Sequence, residues 1–259
     1  MATNTEAPPQ LTGEQLVEML TLTEKADTVE LKSSVSESLQ RSAIKALDLD
    51  PITAQIRQVF FFDTPDLALD AQGLVVRGRR TSGKGDDTVV KLRPVDPAAV
   101  PDSLRREPTF GIEVDAMPGG FVCSGSLKGV PTKAAVQEVF HGNAKISKLF
   151  SKEQRQLFAE HAPEGLSLDD LSILGPIFVL KVKSPASGLN RKLVVELWLY
   201  PDDSRILELS TKCLPSEAFQ VAAEARAYLS ERGIELTGEQ APKTRRALDY
   251  FSQQLHGTA

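Results

Sequence analysis

Residues 28–35 read TVELKSSV. A strand over this stretch sends Val29 and Leu31 to one face and Thr28, Glu30 and Lys32 to the other, because side chains alternate along a strand. A carboxylate and an amine then stand side by side. Taken alone, this is what the solvated face of a half-buried sheet looks like. The fold turns on whether that charged face meets bulk water or an enclosed lumen.

The same pattern recurs in later stretches. GLVVRGRR (73–80) puts Arg77 and Arg79 on one face, opposite Val76. DTVVKLRP (87–94) puts Lys91 and Arg93 with Val89, against Val90 and Leu92. Glu113 and Asp115 oppose Ile112 and Val114 in REPTFGIEVDAM (106–117), and Lys181 and Lys183 oppose Leu180 and Val182 in IFVLKVKSP (177–185). Lys192, Glu196, Trp198 and Tyr200 share a face in RKLVVELWLYP (191–201), and Glu208, Ser210 and Lys212 do so in SRILELSTKC (204–213). ITAQIRQVFFFDT (52–64) is a further β-rich run, closed by a DTPD turn signal.

Two readings fit the alternation. The charges coat the outside of a sheet, or they line a closed barrel whose apolar face turns outward against helices. A dry interior cannot hold so many ions, since each costs several kcal/mol to desolvate. The second reading therefore requires a wet lumen and a charged ligand. Sign patterning bears on this choice: whole strands carry one sign, as Arg-x-Arg, Lys-x-Arg, Lys-x-Lys and Glu-x-Asp. Paired arginines suit bidentate recognition of phosphate, and clustered carboxylates suit a hard cation such as Mg²⁺. Together they read as a site for a metal-bound polyphosphate.

Helical periodicity appears in TGEQLVEML (12–20), in SESLQRSAIKALDLD (36–50) with a Leu39, Ala43, Leu47 stripe, and in SEAFQVAAEARAYLSERG (216–233). APKTRRALDYFSQQL (241–255) reads as a short final helix. Between about Thr132 and Leu171 the character is helical, as in TKAAVQEVFHG and SKEQRQLFAEHA, an insertion expected against a sheet edge or across a barrel end. About eight strands in mostly hairpin order favour antiparallel α+β over a doubly wound sheet.

With 259 residues, the chain can bury a substantial core without metal or disulfide staples. Residues 1–12 are expected to form a flexible tail rather than a signal peptide, and residues 13–255 a single domain. No apolar run is long enough to span a bilayer. The net charge of −5 argues against a whole-surface nucleic-acid or membrane binder. The only two cysteines, Cys123 and Cys213, form no zinc pattern, and free thiols with a cytoplasmic location are expected. The three histidines lack metal-ligand spacing, and SGKGDD is a hairpin turn rather than a phosphate-binding loop.

The ordered motifs VELK, FFDTPDLALDAQGLVVRGRR, TVVKLRP, IEVD, VLKVK, VVELWLYPDDSRILELS and APKTRRAL resemble the CYTH family, the triphosphate tunnel metalloenzymes, from about Asp27 to about Phe251. The resemblance implies an eight-stranded antiparallel β-barrel forming a tunnel, with flanking helices and inward charges. It implies phosphate ligands at Lys32, Arg77, Arg79, Lys91, Arg93, Lys181, Lys183 and Lys243. Metal, Mg²⁺ or Mn²⁺, would be held among Glu30, Glu113, Asp115, Glu196 and Glu208, with Glu30, Lys32 and Glu113 catalytic. Two positions depart from the family's pattern: Thr28 stands where a first-strand glutamate is usual, and Ser210 where the last strand usually has a second glutamate. Lys192 and Lys212, at strand ends, are expected on the surface, and Trp198 with Tyr200 either stack a ring or, as the preferred reading, plug a barrel end.

The function implied is metal-dependent hydrolysis of a triphosphate-containing small molecule. The alternatives are ATP cyclisation of the class IV adenylate cyclase kind, or non-catalytic binding of polyphosphorylated ligands.

Overall fold

The computed structural model describes residues 12–184, 189, 191–234 and 243–257. Apart from Thr12, the expected N-terminal tail lies outside the described residues, as do Ala241 and Pro242 of the last motif.

The described residues form nine strands: β1 (Thr28–Val35), β2 (Gln55–Asp63), β3 (Leu74–Thr81), β4 (Gly85–Leu92), β5 (Phe110–Met117), β6 (Gly120–Gly129), β7 (Ser172–Ser184), β8 (Leu193–Leu199) and β9 (Arg205–Cys213). They close into a barrel in the order β1-β5-β6-β4-β3-β2-β7-β8-β9, and β9 returns to pair with β1. The expectation of eight antiparallel strands is corrected in two details. The additional strand is β6, GFVCSGSLKG, whose glycines and serines give it little intrinsic strand preference. It forms because a tight turn at Pro118–Gly119, with Gly119 at φ 85°, folds it back on β5. The second detail is that β1 and β5 run parallel, with Thr28 opposite Glu113 and Glu30 opposite Asp115.

Closure settles which face is which. The apolar residues that alternate with the charges point outward, and the core lies between the barrel wall and the helices. Phe60, Phe62, Val76, Val90 and Leu127 pack against Val136, Val139, Leu149, Leu157 and Phe158 of the helical insertion. The insertion therefore lies along the outer wall of β2, β3, β4 and β6, since a closed barrel offers no edge to cover. Gly78, between the two lumenal arginines of β3, makes room for it. A Cβ there would sit 3.2 Å from Phe62 Cε2 and 3.4 Å from Val136 Cγ2. Gln154 ties the insertion down, accepting from Thr88 Oγ1 at 3.0 Å and donating to the Leu127 carbonyl at 3.0 Å.

On the opposite wall, Ala43 and Leu47 of the predicted stripe join Tyr228 and Leu229 over Leu193, Val195, Leu207 and Leu209. The helix Lys243–Leu255 has a different place. Its Ala247, Leu248 and Phe251 pack with Val59, Phe61, Val179, Trp198 and Ile206, which lie on the lumenal face of their strands. This helix, not the insertion, stops one end of the barrel, with Trp198 and Tyr200 in the plug. No described helix is long and apolar enough to cross a membrane.

Candidate functional site

The barrel encloses a cavity of about 710 Å³, within the range of small-molecule sites. Among the described residues its lining carries eleven lysines and arginines against six aspartates and glutamates, a surplus of five positive charges. Asp87 and Asp115, which pair with lining bases, reduce the surplus to three. A protein with a net charge of −5 thus concentrates positive charge inside itself, which favours a compact polyanion as ligand.

The charges divide into two groups. On β2, β3, β4, β7 and β8, Arg57 and Lys181 converge on Glu196 Oε1 at 3.2 and 2.9 Å. Arg79 Nε donates to Asp87 at 2.7 Å, and Arg77 lies 3.9 Å from the same carboxylate. Lys243, the first residue of the plugging helix, reaches Glu196 Oε2 at 3.4 Å and Glu208 Oε1 at 2.5 Å. Trp198 Nε1 donates to Glu196 Oε2 at 3.3 Å. Burial alone would raise the pKa of Glu196, but Lys243, Lys181 and Arg57 outweigh it and hold the carboxyl well below its ordinary range. Burial, reinforced by Arg79, lowers the Arg77 pKa to about 10, which leaves the guanidinium charged at neutral pH.

Across the lumen, β1, β5 and β9 bring the second group together. The parallel β1–β5 register sets Glu30 beside Asp115, and the antiparallel β1–β9 register sets Glu30 beside Lys212 and Lys32 beside Ser210. Glu30, Glu113 and Asp115 each place a carboxylate oxygen within 4.8 Å of the others. Lys32 bridges Glu30 at 3.1 Å and Asp115 at 2.7 Å, while Lys91 and Arg93 approach Asp115 Oδ2 at 3.7 and 3.4 Å. Lys212 contacts Glu113 and lies 3.6 Å from Glu30. Burial would raise the pKa of Asp115 and of Glu30. Lys32 with Lys91 in the first case, and Lys32 with Lys212 in the second, more than offset it and leave both lowered. Lys91 pays for its own burial: its pKa falls to about 8, since Asp115 only partly offsets desolvation and the nearby Lys32 and Arg93.

The all-oxygen donor set of Glu30, Glu113 and Asp115 fits a hard divalent cation. Both Asp115 oxygens are buried without a well-aligned hydrogen bond, their charge met only by neighbouring cations. Glu196 and Glu208 are not part of this group. They face each other across β8 and β9, and Lys243 bridges them.

The cavity lining includes Lys32, Arg77, Arg79, Lys91, Arg93, Lys181 and Lys243. Lys183, expected beside Lys181, is exposed near the end of β7 and is not part of the lining. Lys192 and Lys212 are both exposed, as expected, but Lys212 also lines the mouth of the lumen and reaches Glu113. Arg57, Asp87 and Lys128 were not anticipated. Asp87 shares the face of Lys91 in a strand whose period of two is visible, so extending the facing argument by two residue pairs finds it, whereas Arg57 lies on β2, where the apolar run from Val59 to Phe62 hides the alternation. Lys128 lies on β6, whose glycines and serines give no strand signal of their own.

No family model matches the sequence, and no curated protein does either. Among solved structures, the fold matches HpAC1 from Hippeastrum, a proposed adenylyl cyclase described as having a dominant triphosphatase activity. The TM-score is 0.61 at 18% identity, over 84% of this chain and 94% of that one. A proposed adenylate cyclase from Bacillus halodurans matches with a TM-score of 0.57 at 13% identity, over 85% of this chain and 98% of that one. The wall of inward charges, the two-sided lumen and these likenesses agree that the chain has the tunnel-barrel fold of the CYTH type.

Proposed function

We propose that the lumen binds a triphosphate chain together with a divalent cation, Mg²⁺ or Mn²⁺, and hydrolyses one of its phosphoanhydride bonds. The observation that carries this reading is the division of one cavity into an arginine-rich wall and a carboxylate group facing it. Arg57, Arg77, Arg79 and Lys181 hold the phosphate oxygens on one side, and Lys32, Lys91 and Arg93 on the other. Lys243 caps the closed end. Preorganised cations of this kind stabilise the charge that develops on a phosphoryl group during transfer, without reorganising at the moment of reaction. Glu30, Glu113 and Asp115 would hold the cation, which when bound neutralises phosphate oxygens and orients a water for in-line attack. The apolar plug keeps one end of the lumen closed, so ligand enters and leaves by the mouth near Lys128 and Lys212. The triphosphatase activity described for HpAC1 supports hydrolysis.

Purified protein with Mg²⁺ or Mn²⁺ is expected to release phosphate from inorganic or organic triphosphates. Arg77→Ala and Glu113→Ala should each remove that activity while the chain stays folded. Cyclic AMP formation from ATP would assign the cyclisation reaction instead. Tight triphosphate binding without turnover under every metal tried would make the protein a binder, and robust phosphate release by either variant would refute the site.

A further inference from the structure

β9 carries a lysine into the carboxylate group. Its pairing with β1 sets Lys212 opposite Glu30, and β5 sets Glu113 opposite Thr28, one inward position away. The Lys212 ammonium contacts Glu113 Oε2, and the Thr28 hydroxyl donates to that same oxygen at 3.2 Å. Glu30 Oε2 is shared between Lys32 at 3.1 Å and Lys212 at 3.6 Å. One oxygen of each of these two glutamates is thus already engaged by an ammonium.

We infer that Lys212 is a built-in competitor for the divalent cation: its ammonium and a metal ion claim the same oxygens of Glu30 and Glu113, and the metal is admitted when Lys212 moves aside. The inference rests on the reading of Glu30, Glu113 and Asp115 as the metal-holding group.

The two lysines of this region differ in how firmly they are held. The Lys32 side chain is only 14% exposed and lies between two carboxylates, so it stays. The Lys212 side chain is 52% exposed, at the mouth and on a flexible stem. Water therefore reaches the Lys212 ammonium, and Lys212 leaves its carboxylates more easily than Lys32 does. A metal ion arriving on these carboxylates repels both ammonium groups, and Lys212, the more exposed of the two lysines, is the one that gives way. A triphosphate entering the mouth offers Lys212 an alternative anion and releases Glu30 and Glu113. Metal and triphosphate then favour each other's binding, and by linkage the coupling is equal in both directions. The ligand taken up most readily is the metal–triphosphate complex rather than either component alone.

The test is Mn²⁺ binding without triphosphate, read from the electron paramagnetic resonance signal of free Mn²⁺, for the full chain and its Lys212→Met and Lys212→Arg variants. Lys212→Met should bind Mn²⁺ roughly fivefold more tightly than the native chain, the factor corresponding to about 1 kcal/mol. Lys212→Arg, which keeps the charge, should remain weak, and Lys212→Gln repeats the test with a polar stem. Equal or weaker binding by both neutral variants, abolished in each by Glu113→Gln, would overturn the competition while leaving the metal site standing. Failure of every form to bind Mn²⁺ would overturn both.

Discussion

Replacement of Glu196 by glutamine tests whether the lumen's positive charge is held in check by its own carboxylates. Glu196 accepts from Arg57, Lys181, Trp198 and Lys243 at 2.9 to 3.4 Å, and its side chain is only 14% exposed. Glutamine keeps the shape and one acceptor oxygen, but its amide presents N–H groups to donors, and three cations lose their shared counter-charge. Breaking a buried pair by removing one partner costs about 3–5 kcal/mol. Partial exposure puts this case at the low end, ~3 kcal/mol. For a chain of this size that corresponds to a fall in Tm of roughly 6–12 °C.

Differential scanning fluorimetry in a buffer free of multivalent anions is the assay. Added tripolyphosphate should raise the Tm of Glu196→Gln more than that of the native chain, because the ligand supplies the missing charge. The pH dependence has a definite sign. The folded pKa of Glu196 lies below its ordinary 4.5, so its contribution is complete above that value and fades as pH falls toward the folded value. The gap between native and variant proteins should stay flat over about pH 5–8 and close only in strong acid. A variant as stable as the native chain at neutral pH would refute the reasoning.

Two further outcomes are expected. Because the Lys91 pKa lies near 8 and a bound phosphate raises it, triphosphate binding at about pH 9 should take up a proton and weaken by up to about tenfold per pH unit. Calorimetry in buffers of different ionisation enthalpy reads that proton, and Lys91→Arg should abolish the uptake. Gln154→Leu should leave Thr88 and the Leu127 carbonyl without their buried partner and cost at least about 2 kcal/mol in urea unfolding, with turnover per folded molecule unchanged.

Much of the wall was legible along the chain. Arg77 and Arg79, Lys91 and Arg93, and Glu113 and Asp115 each declared a shared face, because a period of two is a local property of an extended backbone. The helical insertion and the Leu39, Ala43, Leu47 stripe were equally local. β6 was not legible, since its glycine-rich sequence has weak strand preference and becomes a strand only by pairing with β5 and β4. Glu196 and Glu208, which the resemblance puts among the metal ligands, lie apart from the group of Glu30, Glu113 and Asp115, and the contact of both with Lys243, far away in sequence on the plugging helix, is written in no single strand.

The sequence by itself determined that this chain would build strands with one charged and one apolar face, and that the charges would be sorted by sign. It could not say which face was inside, because alternation is unchanged when the two faces are exchanged. Closure of β9 onto β1 and the parallel pairing of β1 with β5 broke that symmetry. Depth in the lumen was also a tertiary matter. Lys183 and Lys212 each obey the alternation of their strand, yet one lies exposed outside the cavity lining and the other enters the carboxylate group. Register between strands distant in sequence decides that difference, and no single strand contains it.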